Sequence, residues 1–424
     1  MAIQTLGLSP PERKETRSNP GTEISPARWD FLFDHGSTFA DINVNPISAM
    51  QSETVNGCVS LISSSIASLP LILYERNSNG SGKTEAFSNP IHSLLKHECN
   101  SESTPETLFT ELVKDVLLYG QSFLEITRTG TRVTGLWYLH ASNVRVYRNA
   151  QNDLQYDVTL GTNRRTLPAT SICHIVGCPS GDGVTGISVL TTGREVIAEN
   201  LAIQRHCNKY FANASTPSGI LSTNGKIKPE DKSKMRSDWE ALNLGSKQHK
   251  VAVLDQEVTY TPLNPSSNVE TDLIKAKEWS RSAVAGLFHV NTQLLSSEAR
   301  VSGEVYASQM LAFYELALKP IMKKIQSELL RKLFPGQLSR FIIEHRWMDL
   351  LKSDPVSMME SMSVIRSAGI YQTDELRELA GLNPLGGDVG SLVLAPVNFC
   401  NAEKLVNAEP NPKIAPVGNS GDNK

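Results

Sequence analysis

The 424-residue sequence lacks the features that mark several large classes of protein. No apolar run reaches the roughly 18 residues that a membrane-spanning helix needs. The N-terminus has no basic stretch followed by an apolar one, as a secretory signal has, so we expect no membrane contact. The formal charge is only −3, with 41 Lys and Arg against 44 Asp and Glu. The chain therefore lacks the strong excess of Lys and Arg that would predict tight binding to nucleic acid.

Residues that hold metals or act as nucleophiles are also sparse. The six cysteines are scattered and form no C-x-x-C pair; only Cys173 and Cys178 are close, on either side of His174. A zinc site needs a second ligand pair at suitable spacing, so we expect free thiols and no metal. The nine histidines are dispersed, and no G-x-S-x-G or H-E-x-x-H motif occurs. The sequence predicts no cofactor and no enzymatic activity.

One stretch imitates a nucleotide-binding loop. Residues 77–84 read Asn-Ser-Asn-Gly-Ser-Gly-Lys-Thr and follow an apolar stretch typical of a strand. The phosphate-binding motif needs Gly where Asn77 stands, and a helix that begins at Lys83 and Thr84. The residues after Thr84 are poor helix formers. A hairpin turn between two short strands is the favoured interpretation, and a P-loop-like nucleotide hydrolase is the alternative.

Composition and periodicity predict a mixed α and β protein. Residues 1–25 and 401–424 are rich in Pro, Ser and other polar side chains, so both ends are predicted to be disordered. Between them, apolar patterns with helical and strand periods follow one another. They predict helices over about 53–68, 104–119, 188–211, 229–243, 268–290, 304–334, 355–367 and 374–380, the last with Thr373 as its N-cap. They predict strands at 71–74, 123–126, 135–139, 144–147, 171–176, 219–221, 250–254, 258–260 and 341–344, with 250–254 and 258–260 as a pair.

The most informative stretch is a pair of amphipathic helices between Val269 and Phe334. Apolar or small residues recur in steps of three and four along each helix, which places them on one face. The loop between the helices, residues 296–303, reads Ser-Ser-Glu-Ala-Arg-Val-Ser-Gly and is too polar for a core. Pro320 removes a backbone hydrogen bond, so we expect a kink near residues 316–320. Taken alone, these two helices could equally be an ordinary helical hairpin or a helix pair whose loop has a function.

Residues 212–263 form a small α/β insert between two long helices. From Leu221 to Lys250 the insert has seven Lys or Arg against four acids, a modest basic excess. A solvated helix face and a docking patch are both compatible with it. The cations are Lys226, Lys228, Lys232, Lys234, Arg236, Lys247 and Lys250.

Several short blocks of the chain follow one another between about residues 50 and 398. The chain reads Val-Asn-Gly-Cys-Val at 55–59, Asn-Pro-Ile-His-Ser-Leu-Leu at 89–95, Leu-Tyr-Gly-Gln-Ser-Phe at 118–123, Gly-Val-Thr-Gly-Ile-Ser-Val-Leu at 183–190, Phe-Ala-Asn-Ala-Ser-Thr-Pro-Ser-Gly at 211–219, Leu-Phe-His-Val-Asn at 287–291, Thr-Asp-Glu-Leu-Arg at 373–377 and Gly-Leu-Asn-Pro at 381–384. In order and spacing these blocks resemble the portal proteins of tailed double-stranded-DNA bacteriophages of the siphophage type. Each block alone is weak, but their number and order are specific. Val189 and Asn291 stand where that family commonly has proline.

The resemblance implies an α+β portal fold and a ring of about twelve copies at one capsid vertex. The ring would be built from an α/β wing, a two-helix stem, a small α/β clip insert, a tunnel loop and a helical crown. The implied segments are a wing at 26–187 and 304–350, stem helices at 188–211 and 268–293, a clip at 212–267, a tunnel loop at 294–303 and a crown at 351–400.

The resemblance also implies function and partners. Double-stranded DNA would be packaged and later ejected through the ring without sequence specificity. The clip would dock the terminase large subunit and then the head–tail adaptor, and the ring would sit among copies of the major capsid protein. The protein would occur in the host cytoplasm during assembly and in the virion afterwards. The implied DNA-facing residues are Ser296, Ser297, Glu298, Arg300 and Ser302, and the implied docking patch is Lys226, Lys228, Lys232, Lys234 and Arg236.

Overall fold

The structure is a computed structural model, and it describes most of the chain between residues 38 and 393. The chain divides into two compact units, Met1–Arg346 and Trp347–Lys424. The predicted terminal arms, the strand at 250–254 and the polar loop at 296–302 lie outside the described residues. Those residues are 38–77, 82–212, 219–223, 228–230, 233–234, 237, 258–262, 267–295, 303–346, 362–366, 371–379 and 382–393.

The first unit contains most of the described helices and all of the described strands. The helices are α1 Pro46–Ala49, α2 Glu53–Ala67, α3 Pro90–Lys96, α4 Pro105–Tyr119, α5 Val189–Thr192, α6 Arg194–Ala212, α7 Ser267–Leu287, α8 Gly303–Phe313 and α9 Lys319–Leu333. The strands are β1 Leu71–Arg76, β2 Lys83–Glu85, β3 Gln121–Thr129, β4 Arg132–Leu139, β5 Val144–Arg148, β6 Leu154–Leu160, β7 Asn163–Pro168, β8 Ile172–Val176, β9 Cys178–Pro179, β10 Gly186–Ile187, β11 Gly219–Thr223, β12 Val258–Pro262 and β13 Phe341–His345.

Helices α2 and α4 begin and end where their sequences predict. The hydroxyl of Ser52 accepts the N–H of Val55 and caps α2. The hydroxyl of Thr104 likewise caps α4, and Pro105 occupies its first turn. Helix α4 ends at Gly120, whose φ of +78° favours glycine. The two helices pack against each other through their apolar faces.

Three antiparallel sheets form the body of this unit. Strand β1 lies between β2 and β13, so it pairs with a segment about 270 residues later in the chain. Strand β3 lies between β4 and β8, and β6 lies between β5 and β7. Between the last two sheets lies a core whose members are buried: Phe123, Leu139, Ala141, Val144, Val146, Tyr156, Val158 and Ile172.

The structure differs from the sequence prediction at several places. The predicted helix 188–211 is interrupted at Gly193, where a Cβ would overlap the side chain of Leu287 on α7. Strands β6 and β7 were not predicted. In the insert, β12 pairs with β11, whereas the sequence suggested pairing with 250–254. Helical residues at 229–230, 233–234 and 237 agree with the predicted insert helix.

Where the sequence predicts a kink, near residues 316–320, the structure has a π turn, Tyr314–Leu318, between α8 and α9. Pro320 lies in the first turn of α9. The N–H of Lys319 bonds to the carbonyl of Tyr314, five residues earlier. The helix therefore keeps its hydrogen bonds by widening one turn.

The second unit is described only in part. Residues 362–366 are helical, α10 spans Thr373–Leu379 and α11 spans Gly387–Gly390. The Asp374 carboxylate accepts N–H bonds from Leu385 at 2.7 Å and Gly386 at 2.9 Å, which ties α10 to the segment before α11. Thr373, predicted as a cap, is instead the first helical residue, and its hydroxyl donates to the carbonyl of Leu392.

Candidate functional site: the frame of a polar loop

Helices α6 and α7 pack side by side and are joined to α2 by buried polar side chains. The Ser52 hydroxyl donates to Asn200 Oδ1 at 2.7 Å, and Asn200 Nδ2 donates to Ser280 Oγ at 2.9 Å. All three residues are buried. Because unpaired polar groups are costly in a core, these bonds fix the register of α6 against α7 and hold both on the cap of α2.

The chain that leaves α7 is held close to the body of the protein. His289 adopts a positive φ of 55°, and a 3₁₀ turn, Thr292–Leu295, follows. The Arg281 guanidinium donates to the carbonyl of Leu295 at 3.1 Å. A Cβ at Gly57 of α2 would lie 3.3 Å from Leu295 Cδ2. The segment that leads into the polar loop is therefore fixed from two helices.

The two ends of the polar loop are joined across its base. Gln309 of α8 donates through its side-chain amide to the side-chain carbonyl of Gln293. Residues 296–302 lie outside the described part of the chain, so their structure is not described. What the described part provides is two fixed ends close together, as a short protruding loop requires.

Helix α9 continues the α8 rod and is fixed to the sheets by cations. Arg128 donates to the carbonyls of Thr170 and Lys332, each at 3.0 Å. The ammonium of Lys332 donates to the carbonyl of Ala169, and that of Lys324 to the carbonyl of Gly177. These charge-assisted bonds anchor the far end of the rod that carries the loop.

Burial keeps the titratable groups near this frame in their neutral forms. Burial raises the pKa of the Cys58 thiol on α2 to about 12 although the Arg281 cation opposes it, so Cys58 stays a thiol. Burial lowers the pKa of His174 to about 3, and its ring lies within 3.2 Å of the Tyr156 hydroxyl and of Gln121 Oε1. His174 is structural, since both of its ring nitrogens have partners inside the core.

The predicted site residues are only partly described. Lys228 and Lys234 of the insert are exposed, as a docking patch requires and as a solvated helix face also allows. Lys226, Lys232 and Arg236 lie outside the described residues. So do all five predicted DNA-facing residues: Ser296, Ser297, Glu298, Arg300 and Ser302.

The nucleotide-binding alternative is wrong in its geometry. Lys83 and Thr84 lie on strand β2, which pairs antiparallel with β1, whereas a P-loop needs a helix there. The Lys83 ammonium pairs with Glu344 and lies 4.5 Å from the centroid of the Tyr74 ring. The hairpin interpretation is confirmed.

The residues that build the frame were not singled out by their sequence. Asn200, Ser280 and Arg281 are polar side chains at positions where the helical period would place an apolar face. That mismatch is the signal that could have found them. Gln293 and Gln309 carry no such signal, because their contact depends on the path of a loop.

The described residues contain neither a membrane-spanning helix nor a cluster of metal ligands. None of the helices described is long and apolar enough to cross a membrane. No group of three or more His, Cys, Asp or Glu side chains in the described ranges is arranged to hold a metal ion.

The fold is similar to that of solved portal structures. A solved structure described as the neck of a native gene transfer agent particle, computed with C12 symmetry, matches with a TM-score of 0.55 and 21% identity. The match covers 80% of this chain and 94% of that one. The α+β fold class predicted from the sequence is thereby confirmed.

The sequence comparisons identify the family. The family model described as "Phage portal protein" matches residues 53–381. The probable portal protein of Streptomyces phage phiC31 is 26% identical over 84% of this chain and 80% of its own length. The portal protein of Enterobacteria phage HK97 is 24% identical over 88% of this chain and 87% of its own length. This chain belongs to the phage portal protein family, and the resemblance predicted from the sequence is confirmed. It is a portal protein, a structural virion component through which double-stranded DNA is packaged and ejected.

Proposed function

We propose that about twelve copies of this chain form a ring at one capsid vertex, with the polar loop at 296–302 facing the DNA that passes through it. The proposal is supported by the contacts that fix the two ends of the polar loop, within the part of the chain that matches the family model. Two long helices end at fixed points, joined by Gln293 and Gln309, in the region that the family model covers. The C12 symmetry of the neck to which this fold is similar supports the subunit number.

The described elements support a division of the chain into segments with different roles in the ring. The sheets before residue 188, with 304–350, form the wing. Helices α6 and α7, within 188–211 and 268–293, form the stem, and residues 351–400 form the crown. The insert at 212–267 is the clip, whose exposed Lys228 and Lys234 offer charge to the terminase large subunit and then to the head–tail adaptor. The wing meets the major capsid protein, and assembly takes place in the host cytoplasm.

Ring symmetry changes what a single charged residue does. Each copy of Glu298 or Arg300 recurs around the axis, so one residue becomes a belt of like charge although the monomer carries only −3. Phosphates are attracted to the Arg300 belt and repelled by the Glu298 belt at short range. Salt screens both beyond roughly 8 Å at physiological ionic strength. The contact is therefore weak, salt-sensitive and independent of base sequence, which lets DNA pass.

Negative-stain electron microscopy with parallel mass determination tests the ring. We expect rings of about a dozen copies with a central hole wide enough for a DNA duplex, in line with the symmetry of the related neck. A compact closed particle without a hole would contradict the proposal. Binding of the assembled ring to random-sequence duplex should weaken steeply as salt rises.

A further inference from the structure

The π turn at Tyr314–Leu318 determines which side chains of the α8–α9 rod share a face. In a regular α-helix, residues four apart drift by about 40° per step, so a row of them winds around the helix. A π turn is wider and offsets part of that drift. Here Ala312, Leu316 and Pro320 stay exposed together, while Phe313, Tyr314, Ala317 and Leu318 stay buried.

The result is an exposed apolar patch on the α8–α9 rod. Leu316 is 60% exposed and Leu311, beside Ala312, is 47% exposed. We call Leu311, Ala312, Leu316 and Pro320 the π-turn patch. The opposite side of the same turn packs against α2, so the patch points away from the body of the unit. Its rim is charged, because Glu315 pairs with Lys319 and Lys323 is exposed nearby.

Helix α7 exposes one large aromatic side chain: Trp279 is 61% exposed, whereas Ser280 and Val284 toward the other side of α7 are buried. We call the surface around Trp279 the α7 face. An indole this exposed is unusual on a helix within a packed protein, and tryptophan is typical of interface cores. Lys275 and Glu278 are exposed beside the α7 face, so its rim also carries both signs of charge.

A ring of identical subunits needs two different surfaces on each copy. Its contacts are heterologous, with one patch meeting another patch on the next subunit. The π-turn patch and the α7 face meet this need, because both are apolar, exposed and rimmed by opposite charges. We propose that the π-turn patch of each copy docks on the α7 face of its neighbour, with Trp279 packed against Leu316; the inference rests on the ring proposed above.

Charge substitutions test each surface separately. Leu316→Asp and Trp279→Asp each bury an unpaired charge at every contact of the ring. We expect the ring fraction in mass photometry to fall at least about tenfold for either variant. Leu160→Asp is the matched control, since Leu160 is 45% exposed at the end of β6, on neither surface. The control should assemble like the wild type, and circular dichroism should show all three variants folded.

Mixing the two variants tests the pairing itself. A Leu316→Asp subunit keeps a good α7 face, and a Trp279→Asp subunit keeps a good π-turn patch. Together they can form one sound contact, so we expect one-to-one pairs and no rings. The conservative double variant Leu316→Cys/Trp279→Cys should give a ladder of crosslinked oligomers under oxidation. Each single cysteine variant, with the native exposed Cys178, sets the background.

The outcomes separate the two proposals. A wild-type protein that forms no ring under assembly conditions overturns the proposed function, and this inference with it. Wild-type rings together with intact rings of the Leu316→Asp and Trp279→Asp variants overturn only the docking of the two surfaces. Crosslinking confined to single chains, or no pairing of the mixed variants, also overturns the docking and leaves the ring itself standing.

Discussion

The sheet-bearing part of the first unit and its long helices use apolar residues in opposite ways. In the sheets, Phe123, Leu124 and Ile172 are completely buried. On the helices around the polar loop, Trp279 and Leu316 are each about 60% exposed. These apolar side chains of the sheets are therefore covered by the chain itself, whereas the helices expose apolar side chains that other molecules must cover. The first region governs the stability of the monomer, and the second governs what the monomer joins.

The largest effect on the self-contained region should come from Gly120, where α4 meets β3. Its φ is +78°, and a Cβ there would overlap the backbone of Ile187 and Ser188. Gly120→Ala should cost roughly 3–4 kcal/mol of the free energy of unfolding, measured by urea denaturation. Gly130→Ala is the control, because Gly130 has a φ of +63° with nothing within 4 Å. The control should lose only about 1 kcal/mol; equal losses would contradict the close approach.

Acid should weaken the same region next in order of size. Burial lowers the pKa of His174 and of His345 from 6.5 to about 3. The unfolded chain takes up protons near pH 6.5 that the folded chain refuses, so stability is complete above pH 6.5 and falls below it. From pH 7 to pH 5 each histidine costs about 2 kcal/mol.

Asp115 acts in the opposite direction. Burial raises its pKa to about 6, so the folded chain binds a proton before the unfolded chain does, and stability rises as the pH falls from 6 toward 4. At pH 5 the proton bound by Asp115 offsets about 1.4 kcal/mol of the stability lost through the two histidines. The net loss in the free energy of unfolding is then about 2.5 kcal/mol. Urea denaturation at pH 7, 6 and 5 measures the sum. The fall should be smaller in the His174→Gln/His345→Gln variant, because two histidines with lowered pKa values are gone.

The junction between the two regions depends on Asn200. Asn200→Ala removes the bonds to Ser52 and Ser280 and leaves two buried hydroxyls without these partners. We expect a loss of about 2 kcal/mol in thermal or urea unfolding. Asn208→Ala, at an exposed position of the same helix, should stay within about 0.5 kcal/mol of the wild type. An unchanged stability for Asn200→Ala would show that the helices are held by packing alone.

The smallest effect on stability, and the largest on DNA, should come from the polar loop. The Glu298→Ser/Arg300→Ser variant should stay within about 0.5 kcal/mol of the wild-type stability and should form intact rings. Retention of packaged DNA in such particles should be disturbed and should respond differently to salt, because both charged belts are gone. Normal retention would contradict the assignment of the loop, and failure to form rings would contradict the mapping of segments.

Local signals predicted the helices and strands whose determinants lie within a few residues. Thr104, Pro105 and Gly120 mark the start and end of α4 in the sequence, and the structure confirms them. Strand β6 was missed although Leu154, Tyr156 and Val158 alternate as a strand requires. Strand β7 has no such alternation and is exposed except at Leu167, so only its pairing with β6 identifies it.

Features that depend on distant residues could not be predicted. Gly193 interrupts a helix because Leu287, nearly a hundred residues later, occupies the space of a Cβ. A π turn lies where a kink was expected from Pro320, and this turn depends on how α8 and α9 pack. The frame of the loop depends on Arg281 reaching the carbonyl of Leu295 and on the side chains of Gln293 and Gln309, which no local pattern encodes. The positions of the DNA-facing residues stay a prediction.

The pairing of β1 with β13 has a consequence for synthesis. During translation, one edge of β1 stays without its strand partner until Phe341–His345 has left the ribosome. An unpaired strand edge can pair with other chains. The nascent protein is therefore prone to aggregation during most of its synthesis. A chain cut short before residue 341 cannot complete this sheet. Only a nearly full-length product can therefore offer a finished subunit to its neighbours, which protects the assembly from truncated chains.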